Sequence, residues 1–223
     1  MSDTASPRSP AAACHPGGDS RTIVVLGIGN VLWADEGFGV RCVEALQRQW
    51  GFAPHVDLVD GGTQGLYLLP LVQDADRLVI FDAVDYGLEP GTLKVVENDE
   101  VPRFMGAKKM SLHQTGFQEV LMLATLAGRY PKQVLLIGCQ PEELEDYGGS
   151  LRPRVKAALE DALALGVQRL REWGGEPCPR AEAPLGEEAV TAPSLALAAY
   201  ESGRPAAEAA CRIGDDRFMP GGA

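Results

Sequence analysis

The sequence predicts an α/β fold: three layers, with a twisted, mostly parallel β-sheet flanked by helices on both faces. Short apolar runs rich in β-branched residues alternate along the chain with segments of helical spacing, which is the pattern of a layered α/β domain. These runs contain almost no polar residues, as is typical of strands buried on both faces. The chain has 223 residues, 45% of them hydrophobic and 23% charged. This length and composition favour one such domain with tails over two domains.

Composition changes twice along the chain and predicts its organisation. Residues 1–21 lack the apolar core of a signal peptide and are predicted to be a disordered leader. Residues 22–173 carry all the alternating segments and are predicted to form the α/β domain. Residues 174–223 are rich in Ala, Pro, Gly and Glu and are predicted to be a low-complexity, flexible tail.

The predicted strands follow from continuous apolar runs, and the predicted helices from apolar residues three and four positions apart. The third strand is the most apolar and is predicted to be central; the fourth follows a Pro-Gly turn and is predicted to be an edge or antiparallel strand. Asp35 stands where the first helix needs an N-cap. The strands are expected at Thr22–Gly29, His55–Asp60, Arg77–Val84, Thr92–Glu97 and Gln133–Gly138. The helices are expected at Glu36–Trp50, Gln64–Gln73, Gln114–Gly128 and Arg154–Trp173, with a turn or two at Ser194–Glu201.

Charge and cysteine content restrict the partners and the compartment. The formal net charge is −11, and an acidic domain argues against nucleic acid or an anionic membrane surface as partner. The five cysteines form no C-x-x-C pair, which favours reduced thiols and a cytoplasmic location. No apolar run approaches the length needed to span a bilayer, so membrane insertion is not expected.

Polar residues accumulate where the predicted strands end. Ligands of open parallel sheets bind beyond the carboxyl ends of the strands, so these residues are expected to share one edge. They are Glu36 after the first strand, Asp60 with Gly61 and Gly62 after the second, Asp82 and Asp85 at the third, His113 in the loop 108–114, and Cys139 to Glu142 after the last.

Three kinds of site are compatible with this edge. Gly27 and Gly29 begin a dinucleotide fingerprint, but Leu32 replaces its third glycine and acidic residues follow. The second possibility is a nucleophilic hydrolase, but the sequence lacks the G-x-S-x-G motif of such enzymes. Cys139 has the position of a buried structural cysteine.

The third possibility is a metal site made of Glu36, Asp82 and His113. Two carboxylates and an imidazole suit a borderline ion such as nickel or zinc. Each residue also has an ordinary structural interpretation: Glu36 as a first-turn acid, Asp82 as a loop cap, and His113 as a solvated residue before a helix.

Four segments of the chain resemble one protein family. They are LGIGNVLWADEGFGVRCVEAL, VDGGTQG, IFDAVDYGLEPGT and SLHQTGFQEVL, and they occur in the order and spacing of the hydrogenase maturation endopeptidases. The resemblance extends from about residue 22 to residue 173 and implies a twisted, mostly parallel sheet between helices. It does not include the leader or the tail.

The resemblance implies an activity and a role for each site residue. Members of the family remove a short C-terminal extension from the large-subunit precursor of a nickel–iron hydrogenase after nickel insertion. Glu36, Asp82 and His113 are then expected to bind nickel that belongs to the substrate, with Asp82 and Glu36 also in catalysis. Asp60, Gly61 and Gly62 are expected to help bind the substrate. A non-catalytic chaperone that inspects the nickel site would use the same ligands and remains the alternative.

Overall fold

The computed structural model confirms the predicted fold class, a mostly parallel sheet between two layers of helices. It describes residues 21–105, 112–182, 184 and 188–205, with the side chains of residues 103–115 outside the description. The predicted leader therefore lies outside the described residues except for Arg21. The strands are β1 (Ile23–Ile28), β2 (Trp50–Gly51), β3 (Val56–Gly62), β4 (Arg77–Ala83), β5 (Leu93–Glu97), β6 (Gln133–Cys139) and β7 (Cys178–Pro179). The helices are α1 (Phe38–Gln49), α2 (Leu69–Asp74), α3 (Glu100–Met105), α4 (Leu112–Leu126), α5 (Pro153–Glu172) and α6 (Leu197–Gly203).

The main sheet has five strands in the order β3-β1-β4-β6-β5. Neighbours among the first four are parallel, whereas β5 pairs antiparallel with β6 at the edge. The predictions of a central third strand and an antiparallel edge strand are therefore confirmed. The chain crosses from β3 past β1 to β4, so the loops after β1, β3 and β4 meet at one edge of the sheet.

Alternating side chains of the sheet form two separate cores. On one face, Ile23, Val25, Val79 and Phe81 pack with α1 and α5. On the other face, Val24, Leu26, Ile28, Leu78 and Ile80 pack with α2, α4 and Val101 of α3. The short helix α3 is absent from the sequence-based prediction, because six residues are too few to show a helical period.

Two glycines bring α1 unusually close to the sheet. A Cβ atom on Gly39 would lie 2.1 Å from the carbonyl oxygen of Phe81, and one on Gly27 would lie 2.4 Å from the carbonyl oxygen of Gly39. Only glycine fits where two backbones approach this closely. The first turn of α1 is thereby held directly over β1 and β4, at the edge where the acidic residues gather.

The described part of residues 174–205 packs against the domain, whereas composition predicts a flexible tail there. β7 pairs antiparallel with β2. Residues 188–205, called the C-terminal strap from here on, lie over α1 and end in α6. None of the helices in the described part of the chain is both long and apolar enough to cross a membrane.

Candidate active site at the carboxyl edge of the sheet

Asp82 is a fully buried carboxylate near the end of the central strand β4. Its exposed fraction is 0%, and its backbone pairs in register with Gly138 of β6. Ile80, two residues earlier, packs in the core beneath α4, whereas Ala83 packs in the core beneath α1 and α5. Because side chains alternate along a strand, Asp82 points toward the α4 face.

Glu36 lies in a 3₁₀ turn, Ala34–Gly37, that follows β1 and contacts β4. Burial raises the pKa of its carboxyl from 4.5 to about 7. Gly29 makes this placement possible: its φ is 134°, and a Cβ there would lie 1.8 Å from the carbonyl oxygen of Glu36. The chain therefore folds back over the end of β1 and carries Glu36 to the end of β4.

Asp35 holds the 3₁₀ turn Ala34–Gly37 in place, but not as the predicted N-cap of α1. The N-cap of α1 is Gly37 and makes no side-chain capping bond, so the prediction of Asp35 as N-cap is wrong. Instead, the backbone N–H groups of Glu142, Glu143 and Arg152 donate to the Asp35 carboxylate at 2.8, 2.9 and 2.7 Å. The buried carboxylate thus fixes the turn before Glu36 to the loop between β6 and α5.

Backbone strain accompanies this anchor. Ala34, directly before Asp35, has a φ of 38° and is buried. A residue with a Cβ in this left-handed region costs about 1 kcal/mol or more, and such strain persists only where its surroundings fix it. The three hydrogen bonds to Asp35 provide that fixation.

Asp60 and Gly62 form a tight turn at the end of β3. The N–H of Gly62 donates to Asp60 Oδ1 at 2.9 Å, and Gly62 has a φ of 46°. Burial raises the pKa of Asp60, and the Gly62 hydrogen bond and the charge of Arg41 partly oppose that shift. Asp60 and Gly62 also line a groove of about 200 Å³, called the Asp60 groove here, together with Asn30 and Leu32.

The register of the sheet separates Asp60 from Asp82. Gly27 of β1 pairs with Asp60 on one side and with Phe81 on the other, so Asp60 shares the face of Phe81, beneath α1. Asp82 shares the opposite face, beneath α4. The two carboxylates therefore approach the edge from different sides of the sheet, with β1 between them.

His113 lies in the first turn of α4, which begins at Leu112. The sequence-based start, Gln114, places it in the preceding loop instead, so that boundary is wrong by two residues. The backbone of α4 packs over the face toward which Asp82 points. The side chain of His113 lies outside the described residues. Its role as a nickel ligand therefore stays a prediction.

Tyr86 and Gln140 support the edge beside Asp82; Gln140 is among the edge residues expected from the sequence, whereas Tyr86 is not. The Tyr86 hydroxyl lies against Gly138, where a Cβ would be 2.0 Å from it. Burial and the nearby charge of Asp82 raise the pKa of Tyr86, so its hydroxyl stays neutral. Gln140 Oε1 accepts hydrogen bonds from the N–H groups of Tyr86 and Leu88 at 2.7 and 3.1 Å. The quoted segment IFDAVDYGLEPGT contains Tyr86, but nothing in its residue types indicates this contact.

Cys139 is unsuited to nucleophilic attack. Its side chain is fully buried, and burial raises the pKa of its thiol to about 12. A thiol with that pKa carries almost no thiolate at neutral pH. Among the residues that the structure describes, no three His, Cys, Asp or Glu side chains lie together as a metal site. The candidate catalytic groups that the structure describes at this edge are the carboxylates of Glu36, Asp60 and Asp82.

Fold and site together define an α/β protein with carboxylates along one edge of its sheet. Comparison with known proteins identifies the family. A model of hydrogenase maturation proteases matches residues 40–169. The hydrogenase expression/formation protein HoxM of Cupriavidus necator is 68% identical over 198 residues, which cover 89% of this chain and 98% of HoxM. The hydrogenase 2 maturation protease of Escherichia coli is 42% identical over 159 residues, which cover 71% of this chain and 96% of that protein.

A solved structure agrees with these sequence matches. The hydrogenase maturating endopeptidase HybD from Escherichia coli superimposes with a TM-score of 0.68 at 40% identity, covering 72% of this chain and 98% of HybD. This chain belongs to the hydrogenase maturation protease family. The predicted resemblance is confirmed.

Proposed function

We propose that this protease removes the C-terminal extension of a nickel–iron hydrogenase large-subunit precursor and acts only after nickel has been inserted. The buried carboxylate of Asp82 beside the turn that carries Glu36 is the observation on which the proposal rests. Two carboxylates held partly away from water are suited to an incoming cation, because a cation compensates the cost of burying their charge. Membership in the hydrogenase maturation protease family supports the choice of substrate.

Nickel in this proposal belongs to the substrate. Glu36, Asp82 and His113 would fill vacant positions on the ion, a ligand set that suits nickel. A precursor without nickel would then lack the contact that positions it.

Glu36 and Asp82 have different proposed tasks. Asp82, fully buried on the central strand, would orient the precursor through its nickel. Glu36 has a pKa of about 7 in the free protein, and its ionised form can accept a proton from water. We assign Glu36 the role of general base in addition to that of a ligand. Asp60, Gly61 and Gly62 would bind the backbone of the substrate, where the absence of side chains on the two glycines leaves space.

The experiment compares nickel-loaded and nickel-free precursor. Each is incubated with the purified protein, and the mass of the precursor is followed over time. We expect loss of the C-terminal extension from the nickel-loaded form alone. Equal cleavage of both forms would contradict nickel recognition, and a stable complex without a change of mass would instead favour the chaperone function.

Alanine substitutions test the residue assignments. Glu36→Ala, Asp82→Ala and His113→Ala are each expected to lower the cleavage rate by about 100-fold or more. Asp57→Ala is the matched control, because Asp57 is an exposed acid on β3. Circular dichroism confirms that each variant is folded. Wild-type rates in folded Glu36→Ala and Asp82→Ala proteins would refute the site.

A further inference from the structure

The C-terminal strap, residues 188–205, is attached to α1 by hydrogen bonds. Arg41 is a buried cation with 3% exposure, and it donates to the carbonyl oxygen of Leu195 and to Glu44. The N–H of Leu197 donates to Glu44 Oε1 at 2.9 Å. Gln47 adds two further bonds to the strap backbone, at Glu188 and Val190. All four of these bonds to the strap use its backbone.

A second attachment connects the strap to the start of α5. Glu201 accepts hydrogen bonds from Ser150 Oγ at 2.9 Å and from Lys156 Nζ at 2.7 Å. The Arg41 guanidinium also lies 5.4 Å from the ring centroid of Tyr200. The strap is therefore fixed at both ends of its path across the edge of the sheet.

This path places Leu195 in the wall of the Asp60 groove. Leu195 lines that groove together with Asp60, Gly62 and the loop at Asn30–Leu32. Leu32 also lines a second cavity, of about 340 Å³, between Tyr147 and the strap residues Ser194 and Tyr200. The two spaces share Leu32 in their walls and the strap borders both, so together they are called the channel here.

We propose that this channel binds the precursor segment next to the scissile bond in an extended conformation, and that Leu195 determines specificity for it. The inference rests on the proposed function, since it names the surface that the same substrate would use. The channel includes Asp60 and Gly62, two candidate substrate-binding residues, and the strap borders it along both of its parts. Leu195, at 36% exposure, offers an apolar contact that a peptide side chain would cover.

Relatives of different length agree with a role in specificity. The 198 aligned residues of HoxM reach at least to residue 198 of this chain and so include most of the strap. The Escherichia coli hydrogenase 2 maturation protease matches over 96% of its length with 159 residues. It is therefore too short to contain both the domain 22–173 and the segment through the strap. An element present in one relative and lacking in another is suited to discriminate among precursors.

Photo-crosslinking tests contact directly. A photoreactive amino acid is placed at position 195 of the full chain, the nickel-loaded precursor is added, and crosslinked peptides are mapped by mass spectrometry. Position 165 on α5 is the control, since Leu165 has the same 36% exposure and lies outside the channel. We expect crosslinks from position 195 to the C-terminal region of the precursor. No crosslink from position 195, or equal crosslinking from position 165, would overturn the proposal.

Kinetics of cleavage separate this proposal from the proposed function. Leu195→Glu is expected to raise KM about fivefold or more with kcat within about twofold, because it changes the channel wall and not the acidic edge. Leu195→Ala is expected to change KM in the same direction, whereas Leu165→Ala should leave it unchanged. A KM for Leu195→Glu equal to that of the wild type would refute the role of the strap. Absence of cleavage by the wild-type protein would refute the proposed function, and crosslinking would then decide on the channel alone.

Discussion

Glu36 is held in a setting that disfavours its charged form, and this has a measurable cost. Its folded pKa of about 7 exceeds the reference value of 4.5. Below about pH 4.5 the carboxyl is protonated in both states and contributes no penalty. As pH rises toward 7, the unfolded chain ionises first, so the folded state loses stability, and above pH 7 the full penalty is present.

Glu36→Gln should therefore stabilise the protein at alkaline pH while abolishing cleavage. At pH 8 we expect the free energy of unfolding to rise by about 1 to 2 kcal/mol, a range reduced for solvent screening of a half-buried carboxyl. At pH 4.5 the difference should nearly vanish. Urea unfolding at both pH values measures it, with Glu119→Gln at an exposed position as control. The same gain at both pH values would contradict a pKa effect.

Asp35 stabilises the fold through hydrogen bonds to the loop after β6. Asp35→Ala removes the acceptor of three backbone N–H groups and is expected to lower the free energy of unfolding by about 3 to 4 kcal/mol. Asp35→Asn keeps one side-chain oxygen and should cost less. Chemical denaturation measures both, with Asp57→Ala as the exposed control. A loss below about 1 kcal/mol for Asp35→Ala would show that the loop after β6 finds other acceptors.

Among the elements, the contact between α1 and the sheet is the least tolerant of added volume. Gly39→Ala would place a methyl group 2.1 Å from the Phe81 carbonyl oxygen, so α1 must move outward. We expect a loss of about 3 kcal/mol in the free energy of unfolding, and slower cleavage because α1 follows the turn that bears Glu36. Gly203→Ala, with open space around the new methyl, is the control. Equal melting temperatures for the two variants would refute the close contact.

The strands and the edge they share were predictable because a strand buried on both faces leaves an unbroken apolar run. Arg77–Val84 has that run, and its position at the centre of the sheet follows from it. The role of Asp35 was not predictable, since its partners are backbone groups 107 to 117 residues away. In the local sequence, Asp35 is an acidic residue just before a helix, and this pattern predicts an N-cap. The distant loop that binds Asp35 has no influence on that pattern.

The face of the sheet on which each edge side chain lies was also not predictable from the sequence. A run such as VDGG shows that Asp60 ends a strand, but its face depends on the register with β1. That register sets Asp60 beneath α1 and Asp82 beneath α4. The sequence therefore predicts that Asp60 and Asp82 lie at the same edge of the sheet, but it does not predict that they lie on opposite faces.

At the level of the whole molecule, the strap makes contacts with the domain that its composition does not indicate. Its sequence has little apolar periodicity, and its attachment depends on side chains of α1 that donate to or accept from the strap backbone. Such contacts leave no pattern in the strap itself. Arg41, buried beneath Tyr200 and Leu195, reads in the sequence only as a polar residue on an amphipathic helix.

In the proposed function, the nickel of the precursor binds the ionised form of Glu36, so association of the whole protein with its substrate should release protons. With a pKa of about 7 in the free protein, the carboxyl carries about half a proton at pH 7, nearly a full proton at pH 6, and almost none at pH 8.5. We expect proton release upon binding of nickel-loaded precursor to follow that curve, and kcat/KM to fall about tenfold per pH unit well below pH 7.

Titration calorimetry in two buffers of different ionisation enthalpy measures this release, using early injections before cleavage proceeds. Nickel-free precursor is the control and should release no protons through Glu36. Release that is the same at pH 6 and pH 8.5 would mean that the ion does not reach Glu36. Because Glu36→Gln stability and proton release depend on the same carboxyl, the stability gain should level off near pH 7, where proton release is half-maximal. Two different pH values for these points would assign the binding proton to another group.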